Sequence, residues 1–179
     1  MLKARNTQEW NIVKFDSQGR TILTGIFNSG TAPGINDRSA MQVNVNSQGK
    51  NWKTRISVGN GYTADTYPKT WLTTLALTYF DDYNFPNGNP YPYAGIEVSN
   101  MTRGFATGSK VNVLGTTNML WTVNYYNEDG RVVKTFKQHY KGNTLVAGNY
   151  DEVTNTYDFT GAVLSTTRSH KVGGSEALK

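Results

Sequence analysis

The stretches YYNEDGRVVKTF (residues 125–136) and TNTYDFTGAVLSTTRSH (residues 154–170) decide how this chain is expected to fold. Each places an amide or acid side chain, Asn127 or Asp158, three residues before a glycine and between runs of strand-forming residues. The side-chain oxygen of Asn or Asp caps a turn, and glycine adopts the positive φ that a short hairpin loop needs. Both stretches are therefore predicted to be antiparallel β-hairpins.

The same pattern occurs twice more nearer the N-terminus, in FDSQGR from Phe15 and in NSQGK from Asn46. The Asp or Asn of the four copies stands at positions 16, 46, 127 and 158, so that two of the three intervals are close to 30 residues. In three copies an aromatic residue comes first and is expected to cover the strand end. The alternative is convergence, since any hairpin-rich protein accumulates such turns. The residues predicted to build the repeated turn are Phe15, Asp16, Gly19, Arg20, Tyr126, Asn127, Gly130, Arg131, Tyr157, Asp158 and Gly161.

The residues around the turns alternate between apolar and polar types, as the strands of a half-buried sheet do. We expect strands on both sides of each turn, including 41–45 and 52–58 around the second copy, and further strands at 75–80 and 119–126. The Gly-, Pro- and Asn-rich stretch 28–40 is expected to be a surface loop. The sequence also admits one short helical turn, near 101–107.

The composition favours β-structure over helix. Charged residues make up 17% of the chain, whereas Gly and Tyr number 18 and 11, and no helical apolar stripe is longer than two turns. The net charge of +5 comes from scattered basic residues, which argues against a nucleic-acid interface. The absence of Cys excludes disulfides and Cys-based metal sites. No signal-peptide core and no apolar run long enough for a membrane span is present in the sequence.

Two of the predicted hairpins resemble the YD-repeat (RHS) family, whose signature is Tyr-Asp, two variable residues, Gly-Arg and an apolar residue. The positions that match it are Tyr126, Gly130 and Arg131 in one hairpin, and Tyr157, Asp158 and Gly161 in the other. The chain departs from the signature at Asn127, Ala162 and Phe15, and such degeneracy is normal for a structural repeat. From about residue 10 to residue 170, the chain is similar to the long RHS repeat-associated proteins of Bacteroidetes.

The resemblance implies that this chain is a piece of a larger all-β protein. In that family the hairpins wind into a spiralling sheet that can close as a shell around a C-terminal toxin or other cargo, outside the cell or at its surface. Residues 1–170 would form the YD-repeat β-domain, and residues 171–179 a polar tail that continues in the longer protein. The expected partner is the remainder of the same polypeptide, and exposed sheet edges could also self-associate.

No combination of residues in the sequence predicts catalysis or a cofactor. Acidic pairs occur at 81–82, 128–129 and 151–152, but they fall in or near turns, and adjacent strand residues point to opposite faces. A calcium site at 81–82 is conceivable, although the spacing of an EF-hand is absent. His139 and His170 have no partner at metal-ligand spacing, so that no zinc site is predicted. We therefore expect a non-enzymatic protein without metal or cofactor.

The best candidate for a ligand site is the loop 81–95, which carries Tyr83, Phe85, Tyr91 and Tyr93 on a proline-rich backbone. Exposed aromatic rings could stack on sugars or dock a cell-surface protein, so that carbohydrate or cell-surface binding is the alternative function. The opposing interpretation is that the rings fold back to plug the open end of the sheet, because large aromatic side chains usually find cover.

Overall fold

The computed structural model describes residues 2–3, 8–31, 35, 37–69 and 73–178. Their regular secondary structure is almost entirely antiparallel β-strand, which confirms the predicted all-β class. The chain forms two compact units, residues 1–78 and 79–179. The described elements are β1 (Leu2–Lys3), β2 (Glu9–Phe15), β3 (Thr21–Asn28), a 3-10 helix (Ser29–Thr31), α1 (Arg38–Asn46), β4 (Thr73–Phe80), β5 (Ala106–Asn112), β6 (Met119–Tyr126), β7 (Val132–Gln138), β8 (Tyr150–Tyr157), β9 (Val163–Val172) and β10 (Ser175–Leu178).

The first unit is built on an antiparallel meander that runs from β1 to β4. β2 and β3 form its central hairpin, in which Trp10 lies opposite Phe27. Burial alternates along β2, so that Trp10 and Ile12 share the covered face of the strand. Ile35, which precedes α1, and Met41 of α1 join these residues in one buried hydrophobic cluster.

Helix α1 occupies the stretch 41–45 that the sequence predicted as a strand, so this prediction is wrong. The Asp37 side chain accepts a hydrogen bond from the Ala40 amide at 2.9 Å and caps the start of the helix. Met41 is buried in the core, whereas Val43 is 65% exposed. The burial of Met41 against the β2–β3 hairpin, a tertiary contact, outweighs the β propensity of the valines.

Two neighbouring predictions also need correction. Within the described residues, the predicted strand 52–58 contributes one isolated bridge, Arg55 opposite Tyr62. The predicted surface loop 28–40 contains the end of β3, the 3-10 helix, the buried residue Ile35 and the start of α1. Part of this loop, residues 32–34 and 36, lies outside the described residues.

The second unit holds the last two residues of β4 and a meander of six strands, β5 to β10. Consecutive strands among these six pair antiparallel, from β5 with β6 to β9 with β10. The register sets Val123 opposite Phe136 and Tyr125 opposite Lys134, so that these side chains share one face. The segment 81–105, which joins β4 to β5, packs on this face through its aromatic side chains.

Two parts of the second unit differ in detail from the sequence-based expectation. Residues 101–105 form loop and turn, and β5 begins at Ala106, where a helical turn was the alternative. Lys171 and Val172 extend β9, and Ser175–Leu178 form β10 in the stretch expected to be a polar tail. In the described part of the chain, no helix combines the length and the apolar character that a membrane crossing requires.

Candidate functional site

Three turns, which begin at Asp16, Asn127 and Asp158, share one pattern of hydrogen bonds. In each, the side-chain Oδ1 accepts the backbone N–H groups of the residues two and four positions later, at 2.9–3.1 Å. The carbonyl of the same residue accepts the N–H of the glycine, and its own N–H donates to the carbonyl four positions later. A single Asp or Asn therefore organises the whole turn, and its side-chain oxygen is used in doing so.

The glycines of these turns have positive φ, as the spacing predicted. The values are 78° for Gly19, 75° for Gly130 and 95° for Gly161. A left-handed glycine at this place shifts the register of a hairpin and increases its local twist. The ladder shifts next to the aromatic residue of each motif, and the pairs beyond the shift are Phe15 with Thr21, Tyr126 with Val132, and Tyr157 with Val163.

Arg131 connects the second of these turns to the third. Its Nη1 donates to the Asp158 carbonyl at 3.0 Å, and its guanidinium lies 5.8 Å from the centre of the Tyr157 ring. In the opposite direction, the Tyr157 hydroxyl donates to the Val132 carbonyl at 2.8 Å. The arginine of one motif and the tyrosine of the next thus join adjacent hairpins at their turns.

The aromatic residue of the second motif, Tyr126, and the arginine of the first motif, Arg20, make contacts near their own turns. Phe105 stacks on Tyr126 with 4.8 Å between ring centres. The same ring lies so close to Gly130 that an added Cβ would come within 2.6 Å of it. Arg20 pairs with Asp16 of its own turn, with its Nε 2.7 Å from Oδ2. These side chains hold the strand ends in place.

The aromatic residues of the predicted ligand loop lie against the sheet of the second unit. Phe85 and Tyr91 are only 5% and 6% exposed. Tyr83 stacks on Tyr125 at 4.6 Å, and Tyr91 stacks on Phe136 at 5.5 Å with an interplanar angle of 3°. Burial raises the pKa of Tyr83 and of Tyr91 to about 12. The rings are covered, as the opposing interpretation expects, but they cover a face of the sheet and not its open end. Ligand binding by these rings stays a prediction.

Tyr93, the fourth of these aromatics, is half-buried in a cluster of charged groups. Its hydroxyl donates to Glu97 Oε1 at 2.5 Å, and the Lys134 ammonium lies 4.0 Å from the centre of its ring. Lys134 is also 2.6 Å from Glu152 Oε1. Burial lowers the pKa of Lys134, but the hydrogen bond and the charge of Glu152 outweigh burial, so that the pKa is raised. An ammonium group thus occupies one face of the Tyr93 ring.

An open groove of about 430 Å³ also lies in the second unit. Trp121 lines it, and the Lys110 ammonium is 4.2 Å from the centre of the indole ring. Burial lowers the pKa of this lysine. The other lining residues are Pro90, Thr117, Asn118, Met119, Gln138, Leu145 and Ala147. Sequence reasoning missed the groove because its walls come from five separate segments of the chain.

The acidic pairs do not form a paired-carboxylate site in the described residues. Asp81 and Asp82 each accept a loop amide on Oδ1, at 2.7 and 2.8 Å. Asp151 and Glu152 are neighbours on β8 and point to opposite faces, as strand geometry requires. Asp151 contacts Arg168 and a histidine, whereas Glu152 contacts a lysine on the aromatic-covered face.

The structure brings together His139, Asp151 and His170, a cluster that sequence reasoning missed. One ligand atom from each of the three lies within 4.8 Å of the other two, and the imidazole rings stack with 4.5 Å between centres. His170 Nδ1 donates to Asp151 Oδ1 at 2.7 Å, and Arg168 donates to Oδ2 at 2.8 Å. Burial raises the pKa of Asp151, but these hydrogen bonds and positive charges outweigh it and lower the pKa. Only the strand register, which is absent from the sequence pattern, could have revealed the cluster.

Two buried lysines of the first unit were also missed. Lys14 and Lys53 lie on the hairpin and beside it, and their ammonium groups donate to the carbonyls of Tyr67 and Thr63. Burial, together with the smaller effect of the Lys53 charge, lowers the pKa of Lys14 to about 8. The Lys14 ammonium thus links β2 to the segment between α1 and β4, and the Lys53 ammonium links two parts of that segment.

Three features of the chain bear on its function. They are the repeated turns, the aromatic segment 81–105 that covers one face of a sheet, and the cluster of His139, Asp151 and His170. Comparison with protein-family models, with curated proteins and with solved structures produced no match.

Proposed function

We propose that this chain is a structural, non-catalytic segment of a YD-repeat (RHS-type) scaffold that encloses or presents a C-terminal toxin or other cargo. One observation carries the proposal: three turns with different side chains around them use the same set of backbone and side-chain hydrogen bonds. The extracellular or cell-surface location and the toxin cargo rest on the resemblance of the motifs to YD repeats.

The use of the motif side chains supports a structural role. The Oδ1 atoms of Asp16, Asn127 and Asp158 all accept amides of their own turn, so that they are not offered to a substrate. Because Asn accepts these bonds as well as Asp does, the exchange at position 127 costs the turn little. A catalytic carboxylate would not tolerate this exchange, since an amide neither transfers a proton nor acts as a nucleophile.

Contacts between adjacent hairpins support a role as one part of a longer array. The Arg131 contact to the Asp158 carbonyl and the Tyr157 contact to the Val132 carbonyl join two successive motifs. In repeat proteins, each unit is stabilised mainly by its nearest neighbours, so that further hairpins can be added at an edge. The partner that fits this arrangement is the remainder of the same polypeptide.

The gene that encodes the chain provides the first test. We expect the flanking coding sequence to contain further hairpin motifs of the same spacing and a variable domain after the last of them. A gene that encodes this chain alone, behind a secretion signal, would contradict the scaffold and favour a free-standing binding module.

An activity screen provides the second test. The purified chain is expected to cleave no glycan, peptide or nucleic acid above background. Activity that is lost in Asp81→Asn or Asp82→Asn, and retained in the exposed-site control Glu128→Gln, would contradict the non-catalytic assignment.

The alternative function, carbohydrate or cell-surface binding, is supported by a different observation. Phe85 and Tyr91 are covered, but the groove beside Trp121 is open and combines an indole ring with the polar groups of Lys110 and Gln138. On a glycan array, binding that disappears in Trp121→Ala and persists in Phe159→Ala, a change at a 95% exposed ring outside the groove, would favour this function. Absence of glycan binding would leave the scaffold as the better proposal.

A further inference from the structure

His139, Asp151 and His170 come from three consecutive segments of the second sheet. Asp151 of β8 pairs directly with His170 of β9, and it also pairs with Lys137 of β7. His139 follows β7 two residues after Lys137, so that its side chain points to the same face as Asp151 and His170. This face is opposite to the one that the aromatic segment covers. The cluster is therefore reached without moving the packed rings.

Each histidine of the cluster uses one ring nitrogen in a hydrogen bond. His170 Nδ1 donates to Asp151 Oδ1 at 2.7 Å, and His139 Nε2 donates to the Lys171 carbonyl at 3.2 Å. In a neutral imidazole that donates from one nitrogen, the other nitrogen carries a lone pair. The Lys171 carbonyl is a usual outer partner for a metal-bound histidine and leaves Nδ1 of His139 as the ligand atom. His170 would take its other tautomer on metal binding, so that Nδ1, 2.7 Å from Asp151 Oδ1, becomes a ligand beside the carboxylate.

We propose that this cluster binds one divalent transition-metal cation of the zinc class, with His139 and His170 as nitrogen ligands and Asp151 as the carboxylate. The three side chains already have one ligand atom each within 4.8 Å of the others. Imidazole nitrogen favours zinc, copper and nickel over calcium and magnesium, which prefer oxygen. Three protein ligands leave one coordination position for water in a tetrahedral site.

Binding requires a small rearrangement of the side chains. Zn–N distances of about 2.0–2.1 Å place two ligand atoms of a tetrahedral site roughly 3.3 Å apart. The rings now stack with 4.5 Å between centres and an interplanar angle of 12°. The imidazoles therefore rotate out of the stack when the cation binds, while the backbone of β8 and β9 stays paired. This rotation makes the histidine resonances a direct report of binding.

The cation would act as a clip on the scaffold. It would join β9 and β8 to the residue after β7, at the end of the strands remote from the Asn127 and Asp158 turns. Anything that binds the folded state alone stabilises it by mass action. The proposal goes beyond the scaffold function, since the clip would operate in a free-standing module as well.

The experiment is a zinc titration of the untagged chain, which contains 2 His in all. Calorimetry is expected to give one zinc per chain, and the ring ¹⁵N resonances of both histidines should shift on binding. His139→Ala, His170→Ala and Asp151→Asn are each expected to weaken zinc binding at least tenfold, roughly the loss typical of altered metal-site partners. Glu128→Gln, at an exposed acid outside the cluster, should bind zinc as the unchanged chain does.

Three results would overturn the proposal. One is the absence of binding up to millimolar zinc, which would make the cluster a hydrogen-bonded group around Asp151 and nothing more. The second is binding that persists in His139→Ala and His170→Ala, which would show an adventitious ion only. The third is binding that leaves both imidazole resonances unshifted, and this measurement on the unchanged chain decides the matter if a variant fails to fold.

Discussion

Residues 16–19 and 46–49 read Asp-Ser-Gln-Gly and Asn-Ser-Gln-Gly, and yet they have different structures. In the first, Gly19 has a φ of 78° and the Asp16 side chain accepts two amides of its own turn. In the second, Asn46 is the last residue of α1, and its Oδ1 accepts from the Gln42 side chain one helical turn earlier. Gly49 is not among the residues with positive φ.

The flanking residues account for the difference between the two stretches. The first lies between β2 and β3, whose side chains pair across the hairpin and bury Trp10 against Phe27. The second follows a segment in which Asp37 caps a helix and Met41 packs into the core. The same turn letters therefore permit a hairpin without requiring it, and the burial available to the flanks decides which structure forms.

The largest effect that should follow from this comparison is at Gly130. Gly130→Ala places a side chain on a residue with φ of 75° and brings its Cβ within 2.6 Å of the Phe105 ring. Backbone strain and displacement of the ring together should cost about 2–3 kcal/mol of the free energy of unfolding. Urea denaturation followed by circular dichroism measures this cost. Gly49→Ala, which meets no atom within 4 Å, is the matched control and should change stability by less than about 0.5 kcal/mol.

The next largest effect is expected at Asp16. Asp16→Ala removes the acceptor of two backbone amides and the partner of Arg20, at a cost of about 1–2 kcal/mol, as for the loss of a helix cap. Asn46→Ala removes one exposed side-chain hydrogen bond in a helix, where Ala has the higher propensity, and should be close to neutral. Equal losses in the two variants, measured by the same denaturation, would mean that the turns are not energetically different.

Gly19 should show a smaller effect that arises from the backbone alone. Gly19→Ala meets no atom within 4 Å, but its φ of 78° is unfavourable for a residue with a Cβ. The expected cost is about 1 kcal/mol. Its difference from Gly130→Ala isolates the contribution of the Phe105 contact. A neutral Gly19→Ala would show that the turn relaxes to a different geometry.

The smallest predicted effect concerns acid, and it separates two turns of the same geometry. Hydrogen bonds, chiefly from the Thr160 side chain and also from backbone amides, lower the pKa of Asp158, whereas Asn127 in the equivalent turn does not titrate. A lowered pKa in the folded state contributes stability above the unfolded pKa of about 3.9, and this stability is lost as the pH falls through the folded value. As the pH is lowered from 6 to 2, the midpoint temperature of thermal unfolding should therefore fall less steeply for Asp158→Asn than for the unchanged chain.

A control separates this effect from the general acid sensitivity of the protein. Glu128→Gln removes an exposed carboxylate and keeps the Asn127 side chain that organises the turn, so that its pH profile should match that of the unchanged chain. Identical profiles for Asp158→Asn and the unchanged chain would contradict the prediction.

The aromatic loop and the histidine cluster show where sequence reasoning reached its limit. The sequence identified Tyr83, Phe85, Tyr91 and Tyr93 as a group, but it left open whether the rings are exposed or covered. Stacking of Tyr83 on Tyr125 and of Tyr91 on Phe136 covers them. His139 was considered alone because its contact with the Lys171 carbonyl spans 32 positions of sequence.

The sequence by itself determined the all-β class and the internal hydrogen bonding open to the turns at Asp16, Asn127 and Asp158, because the atoms that make such a turn all lie within five consecutive residues. Only the tertiary structure decided that 41–45 is a helix and that His139 and His170 meet, since these outcomes depend on which surfaces are buried and on the register of neighbouring strands. The physical reason is the range of the interactions. Turn chemistry acts over a few bonds, whereas burial and register are set by residues that lie far apart in the chain.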